Sequence, residues 1–227
     1  GKNDNGNNGH TELVFVVDRS GSMGGLESDT IGGFNSMLSK QRTIAGECRV
    51  TTLLFDHRIE TLHNHLDIRE VNDLTSRDYW VRGSTALLDA IGLAIDRMIV
   101  TQRHTAAAYR AQHVLFVIIT DGYENASRRY SLHQIKQMIT YERERYHWEF
   151  VFLGANIDAE QTAGDFGISP RCATDFHADG QGIKASFEAV ACAATAVRGG
   201  ADLEDLNAPD FLGGVRDDYR SRRRMKR

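Results

Sequence analysis

Cysteine, long apolar runs and a surplus of charge of one sign are all scarce in this sequence of 227 residues. Its three cysteines, Cys48, Cys172 and Cys192, are scattered and form no Cys-x-x-Cys pair. This spacing argues against a disulfide framework and against a zinc site, and it favours a reducing compartment. We expect all three thiols to be small, buried side chains.

Further absences exclude other classes of protein. The longest apolar runs, near residues 114–119 and 150–155, are too short to span a bilayer, so we expect no membrane partner. A formal net charge of −4 provides no general attraction to nucleic acid. The chain has no P-loop, and no Gly-x-Ser-x-Gly elbow surrounds Ser20. No signal peptide is visible, but residue 1 is Gly rather than Met, which leaves an upstream segment open.

One stretch combines an apolar run with oxygen-bearing side chains. Residues 13–17 are continuously apolar, as in a central strand covered on both faces, and Asp18, Ser20 and Ser22 follow at alternate positions. Ligands bind at the carboxyl ends of strands in open α/β sheets. One carboxylate and two hydroxyls suit Mg²⁺, provided that the glycine-rich loop curls. The alternative is a turn followed by a helix N-cap, and this stretch alone leaves both open.

Two later segments carry matching chemistry. Thr85 stands just before an amphipathic helix, and Asp121 follows a second buried run, residues 114–120. With these segments the sequence resembles the von Willebrand factor A (vWA) domain family. The metal-ion-dependent adhesion site (MIDAS) of that family is assembled from Asp-x-Ser-x-Ser, a distant Thr and a distant Asp. The matching positions are Asp18, Ser20, Ser22, Thr85 and Asp121, and the resemblance covers about residues 11–200.

The resemblance implies a Mg²⁺ site, with Mn²⁺ or Ca²⁺ as substitutes. It implies that Ser20 and Ser22 bind the metal directly, that both aspartates often act through water, and that Thr85 does either. A remaining water position would be open to a Glu or Asp carboxylate of a protein partner, which describes an interaction module and not an enzyme. The resemblance also suggests an intracellular, bacterial-type member in the cytoplasm, with an ATPase or a stress-response component as partner.

Electrostatics favours the metal as well. Asp18 and Asp121 would repel each other at one sheet edge, and a divalent cation would balance both charges. Two other functions stay open: a metal-assisted phosphoryl hydrolase, and a nucleic-acid-associated module acting through the basic residues 220–227. Ser20 stands where a haloacid dehalogenase-type phosphatase would have a second aspartate, which disfavours the hydrolase. No aromatic residues interleave the basic ones, which disfavours nucleic acid.

Alternation of strand-like and helix-like segments predicts an α/β fold. We expect a doubly wound, mostly parallel sheet with helices on both faces and one antiparallel edge strand, from a hairpin at about residues 49–62. The division would be a flexible leader over residues 1–10, a vWA domain over 11–200, and a polar, basic and mobile tail over 201–227. The helical pattern ends near Gly199, just before that tail.

Smaller features complete the predictions. Residues 63–84 read as a polar, irregular segment in which His63 and His65 are surface side chains. Ser131 and Gln134 predict a capping box at the start of a helix. Residues 124 and 125, just after the Asp121-Gly122 pair, either support the metal site or cap the next turn.

Overall fold

The fold is built on a six-stranded sheet flanked by helices, seen in a computed structural model that describes residues 9–225. The strands are β1 (Thr11–Asp18), β2 (Cys48–Phe55), β3 (Ile59–Asp67), β4 (His113–Thr120), β5 (Glu149–Gly154) and β6 (Ala173–Asp175). The helices are α1 (Glu27–Arg42), α2 (Leu87–His104), α3 (Leu132–Tyr146), α4 (Ala159–Asp165), α5 (Gly180–Arg198) and α6 (Gly213–Met225).

The strand order is β3-β2-β1-β4-β5-β6. Every neighbouring pair is parallel except β2 and β3, which form an antiparallel hairpin at the sheet edge. The predicted fold class and its edge hairpin are thereby confirmed.

The sheet is wound on both sides. The chain moves one way across the sheet from β1 to β2 and the other way from β2, through the edge hairpin, to the parallel β4, so right-handed crossovers place α1 and α2 on opposite faces. Helix α1 packs against α5, whereas α2 packs against α3. All eight residues of β1 are buried between these layers. The carboxyl ends of β1 and β4 consequently lie side by side in the middle of the sheet.

Local signals at the helix ends agree with the structure. The Ser131 side chain accepts a hydrogen bond from the Gln134 backbone and the Gln134 side chain accepts one from the Ser131 backbone, which confirms the capping box of α3. Over residues 9–225, none of the helices combines the length and the apolar character needed to cross a membrane.

The expectation that helical pattern ends near Gly199 is wrong, because residues 213–225 form α6. Few of its residues are apolar, so periodicity is a weak signal there; the helix docks through buried Leu212 and Val215. Arg222 pairs with Asp179 and Asp218 instead of lying free in solvent. Residues 1–8 of the expected leader, and Lys226 and Arg227 of the basic run, lie outside the described residues.

Two further predictions need correction. His63 is buried inside β3, where its Nδ1 lies 2.9 Å from Thr52 Oγ1, so it is not a surface loop residue. His65, half-buried in the same strand, places Nδ1 2.7 Å from the buried Glu12 carboxylate. Strand β3 thus extends into the segment predicted to be irregular. Cys48 and Cys172 are buried as predicted, but Cys192 is exposed because it lies on the outer side of α5.

Candidate metal centre

The five predicted ligands lie on three loops at the carboxyl edge of the sheet. Asp18 is the last residue of β1, and Ser20 and Ser22 follow, the latter within a short 3-10 helix, Gly21–Met23. Thr85 precedes α2 by two residues, and Asp121 directly follows β4. Because β1 and β4 are hydrogen-bonded neighbours, their two aspartates are brought together by the sheet itself.

Hydrogen bonds join the serines to Asp121. Ser22 Oγ donates to Asp121 Oδ1 at 2.5 Å, and the Ser20 and Ser22 hydroxyl oxygens lie 3.1 Å apart. Ser20 is buried, but Ser22 is exposed. The oxygen cluster therefore opens to solvent on the Ser22 side.

Thr85 reaches the same cluster through Gly122. A Cβ built on Gly122 would lie 3.7 Å from Ser22 Oγ and 3.9 Å from Thr85 Oγ1, so both hydroxyls border one small space. A second link joins the two loops, since Gly21 N donates to Gly83 O at 3.0 Å. Gly83 has φ +69° and lies against the His57 ring, where a Cβ would come within 2.2 Å of Nδ1, so only glycine fits this turn.

Residues 124 and 125 hold the Thr85 loop in place. Asn125 Oδ1 accepts from Thr85 N at 2.8 Å, and Asn125 N donates to Thr85 O at 3.0 Å. Glu124 accepts from Leu88 N at 2.9 Å and thereby satisfies a free amide in the first turn of α2. The sequence left open whether residues 124 and 125 support the site or cap a turn. In the structure Asn125 holds the Thr85 loop, and Glu124 caps the start of α2.

The Asp18 side chain is fixed from two sides. Oδ1 accepts from Ser20 N at 2.6 Å, and Oδ2 accepts from Thr120 Oγ1 at 2.7 Å. The buried Tyr79 hydroxyl donates to the Asp18 carbonyl oxygen at 2.6 Å. Thr120 and Tyr79 were not singled out from the sequence. Thr120 could have been, since it directly precedes Asp121, but Tyr79 lies 61 residues from Asp18 in a polar segment without a pattern.

Both carboxylates of the cluster are costly to ionise. Burial raises the pKa of Asp18 despite the hydrogen bonds from Ser20 and Thr120. Burial and the nearby Asp18 charge raise the pKa of Asp121 to about 6, although Ser22 opposes the shift. Among the described residues, no Lys, Arg or His forms a salt bridge with either aspartate.

One atom of this cluster has no hydrogen-bond partner. Asp121 Oδ2 is fully buried and accepts no hydrogen bond from any described residue. A buried carboxylate oxygen in this condition is rare in folded proteins. Together with three hydroxyls and a second carboxylate, it forms an all-oxygen donor set, which suits a small hard cation. The residues present therefore fit a divalent metal ion.

A buried ion network borders the site. Arg19, between Asp18 and Ser20, is 1% exposed; its Nε donates to Asp56 Oδ2 at 3.2 Å and its Nη1 to Glu60 Oε2 at 2.6 Å. Arg82 Nε donates to the same Asp56 oxygen at 2.8 Å. Burial opposes ionisation of Asp56, but hydrogen bonds from Arg82 and from the Arg58 backbone keep its pKa below the ordinary value. Nothing in the sequence pattern singled out this network.

Comparison with known proteins identifies the fold. A scan of protein-family models and a search of curated proteins find no match to the chain. Among solved structures, it is similar to proximal thread matrix protein 1 (PTMP1) from the mussel byssus with a zinc-occupied MIDAS motif, at TM-score 0.57 and 15% identity. That match covers 82% of this chain and 46% of PTMP1, so the chain spans less than half of the protein it matches.

Two other structures give the same answer. The manganese-loaded TRAP protein of Plasmodium vivax matches at TM-score 0.52 and 16% identity, covering 79% of this chain and 72% of that one. A von Willebrand factor type A protein from Catenulispora acidiphila matches at TM-score 0.54 and 10% identity, covering 81% and 42%. Identities this low bear on the fold alone: the chain has the vWA fold.

Proposed function

We propose that this chain is a metal-dependent protein-protein interaction module of the vWA family. Its metal centre would hold Mg²⁺ through Asp18, Ser20, Ser22, Thr85 and Asp121. The observation that carries the proposal is the buried, unpartnered Oδ2 of Asp121, in a cluster of two carboxylates and three hydroxyls at the carboxyl edge of the sheet. Zinc and manganese in the PTMP1 and TRAP structures support a divalent ion at such a site.

The chain's own residues would hold the cation and leave one side of it open to solvent. Ser20 and Ser22 would supply neutral oxygens, and Asp18 and Asp121 would supply the balancing charge. Thr120, Tyr79 and the Ser20 amide would keep Asp18 in position through their hydrogen bonds to it. When bound, the cation would offer an electrophilic centre for an anionic oxygen. Because the cluster opens beside Ser22, a Glu or Asp side chain of a partner protein could approach it there.

The geometry favours binding over hydrolysis. A hydrolase needs a base within hydrogen-bond reach of the attacking water. Asp18 is engaged by Ser20 and Thr120, and the neighbouring Glu124 accepts from the backbone of residues 88, 126 and 127. These two carboxylates are occupied in building the site, and the third, Asp121, would be taken up by the metal ion. We therefore propose that the chain is not an enzyme, and a metal-assisted phosphoryl hydrolase is the alternative to test.

We propose a location and a class of partner from the cysteines and from the sequence resemblance. All three cysteines are free, which fits a reducing compartment and so a cytoplasmic location. An ATPase or a stress-response component is the class of partner that the sequence resemblance suggests.

The decisive experiment first recovers a partner protein that co-purifies with the tagged chain in Mg²⁺. The chain and the partner are then purified separately, and their binding is measured. Binding should require Mg²⁺ or Mn²⁺, weaken with Ca²⁺, and disappear with a chelator. Ser20→Ala and Thr85→Ala should abolish it, and so should replacement of one particular acidic residue of the partner by Ala. Ser169→Ala, which removes a hydroxyl remote from the cluster, should leave it unchanged.

The same preparation tests the alternative. Multiple turnovers of a phosphate ester with Mg²⁺, stopped by Asp18→Asn, would replace the interaction module by a hydrolase. Binding that persists in chelator and in Ser20→Ala would exclude a role for the metal.

A further inference from the structure

A basic pocket lies directly beside the metal centre. It has a volume of about 640 Å³, and its lining includes Ser84, the neighbour of Thr85, and Asn125, which holds Thr85 in place. Its charged and titratable groups are the exposed Arg58, Arg128 and His57 and the buried Asp89. A depression of this size can admit side chains of a partner.

The two guanidinium groups of this pocket are not neutralised. Among residues 9–225, neither Arg58 nor Arg128 forms a salt bridge or a side-chain hydrogen bond; the hydrogen bonds of both residues are made by the backbone. The contrast with Arg19 and Arg82 is direct, since both of those pair with Asp56.

The acidic groups near the pocket are already engaged. The Asp89 carboxylate, part of its lining, accepts from the backbone amides of residues 128, 129 and 130. Asp56 is buried and is shared by Arg19, Arg82 and His57. The Glu124 carboxylate accepts from backbone amides of residues 88, 126 and 127. Because these carboxylates are not bonded to Arg58 or Arg128 side chains, the two guanidinium groups are available to an anionic ligand.

We propose that the partner carries a second acidic side chain, which enters this pocket and pairs with Arg58 and Arg128 while the first meets the metal centre. This inference rests on the proposed function and specifies its ligand: a segment with two acidic residues at a fixed spacing. Guanidinium groups bind carboxylates through paired, charge-assisted hydrogen bonds, so the second contact would add selectivity as well as affinity. A partner with one acidic residue would bind weakly.

The test uses short peptides displayed as a random library. Peptides are selected on the full chain in Mg²⁺, eluted with a chelator, synthesised with a fluorescent label, and measured by anisotropy. We expect the selected peptides to share two acidic residues. Replacing either one by Ala should weaken binding, and the double variant R58A/R128A should weaken the two-acid peptide by about tenfold or more.

The decisive readout is the combination of variants. R58A/R128A should not affect the peptide that keeps only the metal-directed acid, because that peptide lacks the second acid with which Arg58 and Arg128 would pair. Arg103→Ala with Arg145→Ala is the matched control: it removes two exposed arginines from the last turns of α2 and α3, which lead to the opposite sheet edge. This control should bind both peptides as the wild type does.

Each other result overturns the inference in a recognisable way. Mg²⁺-dependent peptides with a single acidic residue, insensitive to R58A/R128A, would contradict the second contact and leave the proposed function standing. Absence of Mg²⁺-dependent peptides would overturn both. Metal-independent binding of a short single-stranded DNA that is lost in R58A/R128A would assign the pocket to nucleic acid instead.

Discussion

Two groups of carboxylates at the same sheet edge are treated in opposite ways. Asp56 follows β2, is fully buried, and is paired with Arg19 and Arg82, so its pKa is held below the ordinary value. Asp18 and Asp121, at the ends of the next two strands of the sheet, β1 and β4, are equally buried but have no salt-bridge partner among the described residues, and their pKa values are raised.

The difference separates structure from function. A buried charge that a protein needs only for its fold is paired and hydrogen-bonded within the chain. A buried charge without such a partner is a candidate for a functional site, because its pairing can be supplied from outside the chain. Arg19 lies between Asp18 and Ser20 in sequence, but its side chain is directed to Asp56. Among the described residues no cationic side chain neutralises Asp18, which supports the proposal that a metal ion does so.

Removing Arg19 from the paired Asp56 should have the largest effect on the free energy of unfolding. Arg19→Ala leaves Asp56 buried with one remaining arginine, so it should lower the free energy of unfolding by about 3–5 kcal/mol. Urea unfolding followed by circular dichroism measures this. Arg77→Ala, at an exposed position in the loop between β3 and α2, is the control and should change stability by less than about 0.5 kcal/mol. A loss below about 1 kcal/mol for Arg19→Ala would contradict the structural role of the network.

The next effect concerns the unpaired group. At a Mg²⁺ concentration about 100-fold above the dissociation constant, the wild type should gain about 2.7 kcal/mol by mass action on the native state. Asp121→Asn should abolish this gain. It should also raise the metal-free stability by about 1 kcal/mol, because it removes one of two repelling buried charges.

Melting curves with and without Mg²⁺ measure both parts. Asp165→Asn, which removes an exposed carboxylate from the end of α4, should keep the full response to the metal. An equal Mg²⁺ gain in wild type and Asp121→Asn would show that the ion binds elsewhere.

A half-buried acid away from the candidate metal centre adds a test through pH. Burial raises the pKa of Glu149, at the start of β5, to about 7, with help from Asp202 and Glu204. The folded state thus holds this proton more tightly than the unfolded state, so stability should fall as pH rises from about 4.5 to about 7. Glu149→Gln should recover about 1–2 kcal/mol at pH 8 and nothing at pH 4.

The effect of Glu149→Gln on stability should be the same with and without Mg²⁺. Unfolding of wild type and Glu149→Gln across pH, each with and without Mg²⁺, is the measurement. A gain that depends on Mg²⁺ would mean that Glu149 and the metal centre are coupled, which would contradict their expected independence.

The smallest effect removes the outer arginine of the network. Arg82 is 37% exposed, stacks over Trp80 at 4.5 Å, and shares Asp56 with Arg19. Arg82→Ala should therefore cost about 0.5–1 kcal/mol in unfolding free energy, since Arg19 still neutralises Asp56. A cost equal to that of Arg19→Ala would show that burial does not rank the two pairs.

The sequence predicted that the candidate ligands lie together at one sheet edge, because their signals are local. A buried strand ending in Asp18, and another ending beside Asp121, place both residues at one edge once the sheet is parallel, and the edge hairpin followed from a short turn between two strand-like runs. The spacing of Ser20 and Ser22 belongs to a single loop. These features need no knowledge of tertiary contacts.

The missed features depend on contacts between distant segments. Arg19 reaches Asp56 across 37 residues, and Tyr79 reaches the Asp18 carbonyl across 61. A charged residue in a loop ordinarily lies in solvent, so neither the network nor its burial has a sequence pattern. Helix α6 was missed because it is mostly charged and docks through few apolar residues, beginning with Leu212.

We propose that Asp18 and Asp121, which form no salt bridge with any described residue, bind a divalent cation. The most direct measurement is an anomalous difference map at the manganese absorption edge, from crystals of the full chain grown with Mn²⁺. We predict one strong peak at the carboxyl edge of β1 and β4, within about 2.5 Å of the Ser20 and Ser22 hydroxyl oxygens. A map with no peak there, or with its strongest peak beside Asp56, would contradict the claim.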